Sequence, residues 1–93
     1  MNARDLTLNI AVNLGRIARW VGEGKTVRVT QFMTETEDFL DQLDKAKKSE
    51  RFEKTFRLFK RSFENLKKKE PNDDWAEEAF TWANILTHRA KLA

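Results

Sequence analysis

Phe52, Phe56, Phe59, Phe63 and Leu66 recur at spacings of four, three, four and three. Residues three and four apart stack on one side of a helix, so this spacing lays all five on one narrow stripe. Lys54, Arg57, Lys60, Arg61, Lys67 and Lys68 cover the rest of the segment. A helix showing four phenylalanines to water does not stand alone; it must bury them against other helices.

The chain supplies three more candidates. From about Arg4 to Val21, Ile10, Leu14, Ile17 and Val21 repeat at four, three and four. A strand reading competes here, because Leu6, Leu8, Ile10, Val12 and Leu14 alternate strictly. Gly22-Glu23-Gly24-Lys25 would then turn a hairpin into Thr26–Val29. Helix is the better reading. Its period runs on through Ile17 and Val21, whereas the alternation stops at Gly15. Gly15 inside a helix costs about 1 kcal/mol relative to Ala, and close approach of another helix is the expected reason for it. Gly22 and Gly24 end the segment, and Thr26 is placed to cap the next one.

The second segment carries Val29, Phe32, Thr36, Phe39, Leu43 and Ala46 on one stripe, widened by Met33 and Leu40. Its other face is acidic, with Glu35, Glu37, Asp38, Asp41 and Asp44. Ser49 is a good cap for the phenylalanine helix, and Pro71 forbids that helix from continuing. Asp74 with Glu77 matches a capping box for a last helix running to about Lys91. Its stripe is Trp75 or Ala76, Ala79, Trp82 or Ala83, Leu86 and Ala90, with Phe80 and Ile85 at the edges.

Four helices of about 16–20 residues joined by short turns favour antiparallel neighbours. The expected fold is all-α: a single up-down-up-down antiparallel four-helix bundle over residues 1–93. An N-terminal β-hairpin plus three helices is the alternative. Phe56 is expected in the core.

Hydrophobic residues make up 40% and charged residues 35%, which is too apolar for a disordered chain and polar enough for one in water. There is no Cys, which excludes disulfides and thiolate metal sites. The opening MNARDLTLNI has neither a basic-then-apolar leader pattern nor a small-residue cleavage site, and the apolar runs are short. A cytoplasmic protein without membrane contact is expected.

Few catalytic constellations are available. Di-iron bundles use Glu-x-x-His, but the residue three before His88, the single histidine, is Ile85. No metal or other cofactor is expected. His88 with Arg89 reads as complementing a helix C-terminus. RNA-cleaving bundles commonly place an Arg a few residues ahead of a His, and here no basic residue lies between Lys69 and His88. The carboxylates read as a solvated helix face and an N-terminal cap. No phosphate loop or serine nucleophile motif is present. A non-catalytic protein is therefore expected.

Charge is the strongest functional signal. Residues 45–69 hold 11 basic and 3 acidic side chains, a net +8, against +3 for the whole chain. Lys54, Arg57, Arg61 and Lys68 lie close to one line, and Lys47, Lys48, Lys67 and Lys69 extend the charge to both ends. Such a line suits a phosphate backbone or an acidic protein. Internal balance is the better reading of this surface, with Glu35, Asp38 and Asp41 of the acidic helix lying across from Arg57 or Arg61. A second candidate surface is a partly exposed Trp20 flanked by Arg16 and Arg19, an arrangement typical of interface anchors. A Trp20 that closes the end of the core is the better reading of the same residues. Asn9, Asn13 and Asn84 are expected at the surface. No motif specifies a chemistry. The functional expectation is a small bundle acting through protein–protein interaction, with another protein or with itself. The alternative is a nucleic-acid-binding module using the basic third helix (residues 47–69).

Overall fold

The computed structural model describes residues 1–93 and is an up-down-up-down bundle of four helices. They are α1 (Ala3–Gly22), α2 (Thr26–Lys45), α3 (Glu50–Lys67) and α4 (Asp73–Arg89); a 3-10 turn, Ala90–Leu92, follows. The body measures 37 × 20 × 20 Å. There is no strand, so the hairpin alternative falls: Leu6–Leu14 and Thr26–Val29 are both helical. Leu6, Ile10 and Leu14 point inward, while Val12 is exposed and Leu8 half-buried. The alternation was an accident of two outer apolar residues.

The phenylalanine stripe does what its spacing requires. Phe52, Phe59, Phe63 and Leu66 are almost entirely sequestered, and Phe56 is 3% exposed. Phe59 packs on Phe63 and on Trp82, with ring centroids 5.8 and 5.3 Å apart. These bulky side chains hold the α3 backbone away from α2 and, over most of its length, from α4. By contrast α1 runs close to both α2 and α4. Small buried side chains on two of these helices, Ala11 on α1 and Ala79 and Ala83 on α4, are consistent with a close α1–α4 approach.

The caps differ from those expected. Asn72 caps α4, its side-chain oxygen accepting from the Trp75 N–H at 2.9 Å, so Asp74 and Glu77 form no capping box. Asn72 wins because Asp73 is already helical, leaving Asp74 inside the first turn. Ser49 occupies the capping position of α3, but its hydroxyl donates instead to the Leu92 carbonyl, tying the start of α3 to the C-terminus. Thr26 is the first residue of α2 and does not cap it. Gly24 adopts φ +74° and closes the α1–α2 turn, where a side chain would be strained. Gly15 has no helix against it: a methyl group there would meet no atom within 4 Å.

Every buried side-chain nitrogen and oxygen has a hydrogen-bond partner. The Thr7 and Thr36 hydroxyls donate to carbonyls one turn back, at 2.7 and 2.6 Å. Trp75 donates its indole N–H to the Leu66 carbonyl at 2.9 Å, joining the end of α3 to the start of α4.

Candidate functional site: a basic groove between α3 and α4

The cations of α3 fall into three groups. Toward α2, Lys60 meets Asp44 at 2.6 Å and Lys67 meets Glu37 at 2.7 Å. The acidic helix thus does balance α3, but through these pairs and not through Glu35, Asp38 or Asp41 with Arg57 or Arg61. The hydrogen bond from Lys60 lowers the Asp44 pKa, outweighing partial desolvation. The reciprocal bonds to Asp44 and Glu37 raise those of Lys60 and Lys67. Lys67 is therefore engaged within the fold. Glu35 faces α1, where its carboxylate accepts from Asn13 at 3.3 Å. Asn13 is 5% exposed and lies inside rather than at the surface; Asn9 and Asn84 are exposed as expected.

On the outer face, Arg61 and Lys68 are exposed and form no ion pair, and Arg57 pairs only within its own helix, with Glu53 at 3.6 Å; Lys54, also unpaired, stands where this face meets the α3–α4 groove. Lys48 leaves the basic surface altogether. Its ammonium donates to the carbonyls of Leu43, Asp44 and Ala46 at 2.7, 3.1 and 2.9 Å. The same group lies 4.7 Å from the centre of the Phe56 ring.

The third group faces α4. Arg51, Lys54, Thr55 and Leu58 of α3, with Trp82, Ile85, His88 and Arg89 of α4, line a groove of about 570 Å³. Every ionisable side chain in that lining is basic. The apolar part is accessible, with Leu58 47% exposed. Two groups in the lining are held in place. Arg89 reaches the Thr55 hydroxyl at 3.4 Å. Trp82 donates its indole N–H to the Ser62 hydroxyl at 2.8 Å, and that hydroxyl donates to Glu78 at 3.1 Å. A positioned indole beside the tethered Arg89 guanidinium can take up an apolar side chain and a carboxylate or phosphate together.

The proposed Trp20 anchor is not exposed. Trp20 is 5% accessible, packed edge-on against Phe32 at 4.7 Å and covered by the Arg28 guanidinium at 5.4 Å. It closes the end of the core. Arg16 and Arg19 are exposed, and Arg19 lies 3.8 Å from Glu23, so the three do not share a surface.

Sequence reasoning missed Arg51, Leu58, Trp82 and Ile85 as a site. A signal existed: Arg51, Lys54 and Leu58 follow at three and four, and Ile85 and His88 at three. What brings the two rows together is the rotation of each helix about its axis, which the phenylalanine stripe fixes for α3. No helix is long and apolar enough to cross a membrane. No group of three or more His, Asp or Glu side chains is placed to hold a metal ion. Neither a protein-family model, nor a curated protein, nor a solved structure matches this chain.

Proposed function

We propose that this protein is a non-catalytic interaction module of the cytoplasm that takes an acidic, partly apolar segment of another protein into the α3–α4 groove. One observation carries the reading: the groove lining has four basic side chains, no carboxylate and an exposed apolar floor. Such a lining repels a basic partner and offers little to a wholly polar one. An amphipathic helix with acidic and aliphatic edges satisfies both halves. The test uses a fluorescently labelled peptide with glutamates on one helical face and leucines on another, read by anisotropy. Arg51→Glu with Arg89→Glu should weaken binding at least about tenfold, or about 1.4 kcal/mol. Arg57→Glu with Arg61→Glu, on the outer face, should leave it within about twofold. Binding that ignores the groove pair, or no binding at all, overturns the reading.

A second reading, nucleic-acid binding, is favoured by the outer row of Lys54, Arg57, Arg61 and Lys68. None of the four pairs with another helix, and the row spans about 21 Å at 1.5 Å per residue. It requires the reverse result: affinity for DNA or RNA that falls steeply between about 50 and 200 mM salt and is lost on Arg57→Glu with Arg61→Glu.

A further inference from the structure

We propose that a second copy of the chain docks on the α1–α4 face, forming a two-fold dimer in which Phe80 of each protomer seats beside Gly15 of the other. This surface is separate from the basic groove, and the inference does not rest on the function assigned to that groove. Phe80 is 56% exposed, the most exposed aromatic side chain in the protein, although it stands on a helix whose other apolar residues are buried or half-buried. It borders a shallow trough of about 700 Å³, floored by Gly15, Ala18 and Ala76. Along α1, Leu8, Val12, Gly15 and Arg19 follow at four, three and four, so they share one line. Val12 is 51% exposed, and the apolar strip therefore extends beyond the trough.

Gly15 supplies an independent argument. It sits in the interior of α1, where glycine weakens a helix. Nothing within the protomer requires it, since an added methyl group meets open space. Approach from outside gives it a purpose: a ring can lie directly on the helix backbone only where no side chain stands.

The rim identifies the occupant. On the α1 side it carries Arg19, and on the α4 side Asp73 and Glu77. Neither carboxylate has an ion-pair partner within the protomer; Arg19 has only the long contact of 3.8 Å to Glu23. A surface with a base on one edge and acids on the other complements itself when turned by a two-fold axis, which brings Arg19 of each copy to the acidic edge of its mate. A long face of the 37 × 20 × 20 Å body presents about 700 Å² in projection, which caps the area at just under the roughly 800 Å² per partner of a standard interface and fits a weak, concentration-dependent dimer.

Sedimentation equilibrium from about 1 μM to 1 mM tests the assignment. The native chain should pass from monomer to dimer in that range. Phe80→Glu should remain monomeric throughout, with an unchanged helical circular dichroism spectrum. Gly15→Ala separates a contact role from a folding role: its melting temperature should hold or rise, while its dimer dissociation constant increases at least tenfold. Arg19→Glu should weaken the dimer, and Arg19→Glu combined with Glu77→Arg should restore it. A native chain still monomeric at 1 mM overturns the proposal. So does a dimer indifferent to Phe80→Glu and Gly15→Ala, including one that is broken instead by Arg51→Glu.

Discussion

Lys48 sets its ammonium against three carbonyl oxygens where α2 ends, and over the face of Phe56. The last carbonyls of a helix have no partner within it, and a cation there also meets the negative end of the helix dipole. Charge-assisted bonds of this kind contribute about 1.5–3 kcal/mol when sheltered, and less at this half-buried site. Lys48→Met keeps the aliphatic stem and removes the donors. It should cost about 1–2 kcal/mol in urea unfolding. A loss under about 0.3 kcal/mol would mean that water serves those carbonyls equally well. Nothing in the sequence separates Lys48 from Lys47, because both sit in one run of cations and only the backbone path decides which turns back. The caps were illegible for the same reason. At the start of α4, Asn72 and Asp74 are both competent, and a shift of two residues in the helix start chooses between them. Trp20 shows the converse: its place beside Val21 already favoured closure of the core end, and only the identity of the groups that cover it, Phe32 and Arg28 from α2, was hidden.

Periodicity carried the elements themselves. All four helices, their order and the inward stripe of α3 follow from spacing, because each apolar stripe has only one way to leave water. The distances between helices were less legible. They depend on which stripes are bulky and which are small, and this leads to opposite responses to mutation. At α3, Phe56 fills the gap between backbones and is 3% exposed, so Phe56→Ala should leave a cavity and cost about 3–5 kcal/mol. At α4, Ala79 is wholly buried where α1 comes close. There Ala79→Leu should cost about 1–3 kcal/mol by overpacking, although it adds apolar area. Chemical denaturation of both variants checks the pair; a stabilised Ala79→Leu would show that the α1–α4 seam has room. The candidate site belongs to the same category as the distances. The residues of the α3–α4 groove could be named from the sequence, but their meeting across two helices could not.

Across the protein, charge is arranged in seams. The α2–α3 seam uses Lys60 and Lys67 against Asp44 and Glu37, and the basic surplus of α3 is left on the outer face and in the groove. These seam pairs are open to solvent, with 46% of both the Lys60 and the Asp44 side chain exposed. Each is therefore worth at most about 1 kcal/mol. The pH dependence has a definite sign. Asp44 is lowered by its bond to Lys60, so its contribution is full above the ordinary carboxylate value, near pH 4, and is lost as pH falls through the lower folded value. Lys60 and Lys67 are raised, so theirs is full below the ordinary lysine value, near pH 10.4, and is lost as pH rises through the higher folded value. Between those limits the seam contributes a plateau. The double variant Lys60→Gln with Lys67→Gln should be less stable than the native chain by roughly 0.5–1.5 kcal/mol across that plateau. The difference should shrink as pH falls through the lowered Asp44 value, because protonating that carboxyl removes the partner of Lys60. It should also shrink in about 1 M salt, where the screening length falls to about 3 Å. Urea titrations at pH 2.5 and 7 measure it. A difference that persists unchanged at pH 2.5 would mean that the two lysines act through the packing of their aliphatic stems, and that the acidic face of α2 does not fix how α3 lies beside it.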